Sequence, residues 1–152
     1  MRFIQEKDYP TIIRTEVRNL LSTAYEDNKL MLAEQMAIAQ IKNFLKGSYD
    51  VAAIFAPLPE VEEGEPEPED TRNAYIVMIT IDCTLYHLYS NTAPDRIPEH
   101  RSQRYEDALN WLRSVAKGEI TADLPVVDTE DANGVVNSLK ISSKYPKSIY
   151  RY

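Results

Sequence analysis

The sequence predicts an all-α fold: a small helical bundle of about four helices with an acidic loop insert and a short extended C-terminal region. Three stretches carry that expectation. Arg104–Ile120, RYEDALNWLRSVAKGEI, places Tyr105, Ala108, Leu109, Leu112, Val115 and Ala116 at helical spacing on one face. Leu30–Lys46 repeats the pattern with Ala33, Ala37, Ile41, Phe44 and Leu45. Tyr75–Tyr89, YIVMITIDCTLYHLY, is apolar on nearly every side, as a helix at the centre of a bundle should be.

In chain order, a first helix is expected over about Asp8–Ser22. Ile13, Val17, Leu20 and Leu21 share its face, Asp8 can cap it, and Pro10 is tolerable in an opening turn. The second, about Leu30–Lys46, has Asp27 or Asn28 as N-cap and Gly47 as its stop. Pro57–Thr71, PLPEVEEGEPEPEDT, alternates proline with acid and has almost nothing to bury, so it reads as a solvated, partly extended loop. The third stretch, Tyr75–Tyr89, is rich in residues that favour strands, yet it is too long for an ordinary strand and reads as helix. The last helix runs from about Pro98 to Lys117. Proline suits a first helical position, Glu99 suits the positive end of the dipole, and Gly118 can take the left-handed cap. Leu124-Pro125-Val126-Val127 is a short strand candidate. This divides the chain into a helical domain, 1–127, and an extended basic, tyrosine-bearing tail, 128–152.

A chain of 152 residues with 43% hydrophobic and 27% charged residues fits one globular domain with a working core. The net charge of −7 belongs to one segment. Glu60, Glu62, Glu63, Glu65, Glu67, Glu69 and Asp70 supply seven negative charges; the other seventeen acids match the 17 lysines and arginines. The body is therefore formally neutral, and the acidity says little about whether it attracts nucleic acid. One cysteine, Cys83, rules out an internal disulfide framework and suits a reducing compartment. Met1–Arg14 mixes charges with apolar residues, unlike a signal peptide, and Asp82 interrupts the longest apolar run. A cytoplasmic protein with no membrane span is expected.

Few residues advertise chemistry. Cys83 and His87 would share a helix face, but in so apolar a run a cysteine behaves as a small hydrophobe. Asp82 is expected to pair with a cation such as Arg104 in a structural ion pair. His87 and His100 fall on different elements and neither belongs to a metal-binding pattern. No phosphate-cradling glycine motif or nucleophile elbow is present. The expectation is a protein without catalytic residues, metal or cofactor. The candidate contact residues are charged and aromatic instead. Glu62, Glu63, Glu65, Glu67, Glu69 and Asp70 form an acidic set. Lys140, Lys144, Lys147 and Arg151, with Tyr145, Tyr150 and Tyr152 among them, form a basic one whose composition suits a contact surface. Four cations give only weak, salt-sensitive attraction to phosphates, so no sequence-specific nucleic-acid binding is expected.

Three motifs in one order carry a resemblance. Ile41-Lys42-Asn43-Phe44-Leu45-Lys46-Gly47-Ser48-Tyr49 is similar to a helix-end motif of a tailed-phage family, Ile81-Asp82-Cys83-Thr84-Leu85-Tyr86-His87-Leu88-Tyr89 to its central helix, and Arg104-Tyr105-Glu106-Asp107-Ala108-Leu109-Asn110-Trp111-Leu112 with Ala116-Lys117-Gly118 to its closing helix. The family is the Mu-like prophage head–tail joining (neck) proteins. The similarity covers about residues 1–125, and the acidic insert and the tail depart from it. The resemblance implies a non-enzymatic subunit that forms a ring below the portal and joins head to tail. Its partners would be portal, tail and neck proteins and its own copies, in the host cytoplasm during assembly and then in the virion. From another class, a cytoplasmic helical regulatory module docking a partner through its acidic loop is the alternative reading.

Overall fold

The computed structural model describes residues 2–9, 28–59, 66 and 68–127. Among them the chain is all-α, with four α-helices: α1 (Lys29–Leu45), α2 (Val51–Ile54), α3 (Ala74–Thr92) and α4 (Glu99–Ala116). Short 3₁₀ turns occupy Glu6–Asp8 and Pro94–Arg96. The three long helices pack on one another around a single core.

α3 is the central element. Ile79, Ile81, Cys83, Leu85 and Leu88 are all buried, as are Thr80 and Thr84. Its strand-favouring residues are overruled because burial on every side is worth more than intrinsic propensity. The threonines fit because the Thr80 and Thr84 hydroxyls donate to the carbonyls of Ile76 and Thr80, both at 2.7 Å. Asn73 caps the helix, its Oδ1 accepting from the Tyr75 and Ile76 amides at 3.0 and 3.1 Å.

α1 turns Leu30, Ala33, Ala37, Ile41 and Leu45 inward, matching the expected stripe. Its N-cap is Asn28, in the left-handed region at φ 57°, which asparagine tolerates. Gly47 does not act as a left-handed stop; Gly118 alone among the described glycines takes positive φ, at 73°. α1 closes instead through Lys46, whose amide donates to the Lys42 carbonyl, and the chain then turns so that the Tyr49 amide meets the Leu45 carbonyl at 3.0 Å. Buried Tyr49 reaches across to accept from the Ala122 amide at 3.0 Å. Asp50 caps the unexpected short helix α2 through the Ala52 and Ala53 amides.

Two more expectations need correction. Pro98 occupies the N-cap of α4, one residue before the helix, so its ring precedes the first turn. The strand candidate Leu124–Val127 forms only one antiparallel bridge, Tyr49 to Val126, because it meets a turn after α1 and not another strand. At the other end of α4 the expectation holds: Gly118 and Glu119 donate to the Val115 and Ser114 carbonyls at 3.0 and 2.9 Å. Most of the first expected helix, Asp8–Ser22, lies outside the described residues. Asp8 itself ends the 3₁₀ turn Glu6–Asp8 and accepts from the Gln5 amide at 2.8 Å.

Candidate functional site

The acidic and basic residues singled out by composition are only partly described. Glu62, Glu63, Glu65 and Glu67, and Lys140, Lys144, Tyr145, Lys147, Tyr150, Arg151 and Tyr152, lie outside the described residues. Glu69 is exposed. Asp70 has a structural partner: it accepts from the Arg72 backbone amide at 3.0 Å and from Arg72 Nη2 at 2.7 Å. That guanidinium holds the Asp70 carboxyl below its ordinary range.

Arg72 is a hub that composition alone did not reveal. Its side chain is 2% exposed and also reaches Asp8 at 2.7 and 2.9 Å and the Phe3 carbonyl. Phe3 and Ile4 are buried, and the Phe3 ring leans on Phe55 at 4.9 Å between centroids. A second anchor is Glu34, buried on α1, which accepts from Arg2 and from the Tyr9 hydroxyl. Burial and the adjacent carboxylate raise the Tyr9 pKa. The N-terminal segment is thus bound into the core by apolar and ionic contacts together.

On α3, Asp82 pairs as expected with Arg104, Nε to Oδ1 at 2.8 Å, and also with Arg101 at 3.4 Å. Arg101 is buried, its Nε has no partner, and burial lowers its pKa. Cys83 and His87 part company despite their spacing. Cys83 sits in the core, where burial and the neighbouring Asp82 charge push its thiol up to about 12. His87 turns to Gln40, Nε2 to Oε1 at 3.0 Å, and partial burial lowers its pKa. Gln40 Nε2 also donates to the Tyr105 hydroxyl at 2.9 Å, and Tyr105 stacks on Tyr86 with centroids 3.9 Å apart. This pins α1, α3 and α4 together by polar and aromatic contacts. Among the described residues no cluster of His, Cys, Asp or Glu is arranged to hold a metal ion, and no helix is long and apolar enough to cross a membrane.

What stands out for contact is the outer side of α1. Leu32 is 55% exposed and Met31 and Met36 are each 41% exposed. The signal was in the sequence: Met31, Leu32 and Met36 fall outside the inward stripe, leaving α1 apolar on two faces. A second surface joins α3 and α4, where exposed Tyr75 meets Trp111 edge-on at 4.8 Å.

No curated protein and no solved structure matches the chain. A family model described as Bacteriophage Mu, Gp36 matches residues 4–138. The match continues past Val127, further than the three motifs reached, and ends before Lys140. The Tyr49 anchor after α1, the central α3 and the glycine-closed α4 all lie within it, and the chain belongs to the Bacteriophage Mu Gp36 family.

Proposed function

We propose that this protein is a non-enzymatic structural component of a phage particle that joins the DNA-filled head, at its portal, to the tail through ring-type contacts between its own copies. The observation that carries the reading is the family match over residues 4–138. The three motifs quoted above resemble head–tail joining proteins, and the exposed surfaces are apolar and aromatic, suited to protein contacts. Subunits in a ring meet head to tail, one surface against a different one, and this chain carries unlike surfaces for that purpose. The acidic segment and the basic tail are of opposite charge, which suits a contact between neighbouring copies or successive rings.

Disrupting the gene in an inducible prophage tests the reading. The expected outcome is accumulation of DNA-filled heads and complete tails that do not join, restored by supplying the protein. Joined particles in its absence would overturn it.

A further inference from the structure

The outer row of α1 and the outer ridge of α4 are similar in length and opposite in charge. On α1, Leu32, Met36, Ala39, Asn43 and Lys46 follow one another at alternating steps of four and three, and no charge lies between Leu32 and Asn43 in that row. On α4, Glu99, Gln103, Asp107 and Trp111 step by four along one ridge, with Tyr75 against the Trp111 ring. The α1 row is apolar at Leu32 and Met36 and cationic at Lys46; the α4 row carries acids at Glu99 and Asp107 and ends on Trp111. Met36 precedes Lys46 by ten residues, about 15 Å of helix, and Glu99 precedes Trp111 by twelve, about 18 Å. The direction is reversed: apolar then cationic along α1, anionic then aromatic along α4.

The geometry points to α1 of one copy docking antiparallel on α4 of a second copy, with Leu32 and Met36 against Trp111 and Tyr75, and Lys46 against Glu99. Methionine and aromatic rings make favourable contacts of this kind. Antiparallel packing sets the negative C-terminal end of α1 beside the positive N-terminal end of α4, so helix dipoles and side-chain charges favour one register. The contact is heterologous and leaves each copy one free α1 and one free α4, so it propagates from subunit to subunit. It rests on the ring-forming reading above and names the two surfaces that make the ring.

Ala39→Cys and Asp107→Cys variants test it, because both positions are exposed and each lies one turn from the apolar end of its row. Cys83, buried in the core, remains in every sample as a shared background. The variants are oxidised separately, mixed, and combined in one chain, both free at high concentration and on the cognate portal assembly. The expected result is a disulfide dimer only in the mixture and a ladder of higher species from the doubly substituted chain. Lys46→Glu or Glu99→Lys alone should lower the yield several-fold, and mixing those two changes on opposite partners should restore it. Ala39→Cys crosslinking to itself would show a symmetric α1 contact and overturn the proposal. So would rings on the portal without the mixed disulfide, which would leave the connector reading intact. Mixed disulfides without portal binding would support the contact while removing the connector role. No mixed disulfide in either state also overturns it.

Discussion

Asp82 is the residue on which the interior electrostatics turn. It accepts from Arg104, which is 41% exposed, and from Arg101, which is almost wholly buried. Removing it lets Arg104 turn to water but leaves Arg101 charged and enclosed. Asp82→Ala should therefore cost about 3–5 kcal/mol, read from urea midpoints, whereas a double change to apolar residues, Asp82→Leu with Arg101→Met, should cost much less. His87 supplies a pH dependence of known sign. Its folded pKa is depressed by partial burial, so the unfolded chain takes up the proton first as pH falls. Its contribution is fully present above the ordinary histidine value near 6.5 and is lost progressively below it, until the folded pKa is reached. Comparing urea midpoints at several pH values, His87→Gln should flatten the wild-type decline in that window. An unchanged slope would assign the decline to other groups.

At the scale of the element, the two helix-ending glycines behave differently. Gly118 is left-handed at φ 73°, so Gly118→Ala should cost about 1 kcal/mol, a drop of about 2–4 °C in Tm by circular dichroism. Gly47 has ordinary backbone angles and open space where a Cβ would sit, so Gly47→Ala should be neutral or mildly stabilising. The two look alike in sequence, because glycine after an apolar stripe signals a helix end without fixing its conformation. The three long helices were legible because periodicity, length and uninterrupted apolarity report directly on burial. α2 was not, being too short to show a period; only Asp50, a capping residue, marked it. Arg72 was equally hidden, since its partners Asp8 and Phe3 are distant in sequence and no local pattern announces them. Of the candidate contact residues, charge runs were easy to see, but a run does not separate Asp70, tied to Arg72, from exposed Glu69. The outer face of α1 is written in Met31, Leu32 and Met36, a second apolar stripe beside the inward one.

For the whole molecule, two sets of contacts tie the segments outside the long helices to the bundle: the N-terminal segment through Glu34 and Arg72, and the residues before Val127 through Tyr49. Apart from Arg2 and Phe3, both anchors lie within the stretch shared with the Bacteriophage Mu Gp36 family, while Lys140–Tyr152 lies beyond it. Deleting residues 139–152 should therefore leave the thermal unfolding of the helical body unchanged and weaken assembly with other copies or with the portal. Loss of the cooperative transition would mean that the tail belongs to the core.

Whether the subunit joins head to tail is decided by mixing the purified protein with its cognate portal assembly and examining the product by sedimentation and electron microscopy. The expected result is co-sedimentation and a ring of this protein stacked on the portal. An intact portal that stays bare, with the other neck proteins present, would contradict it.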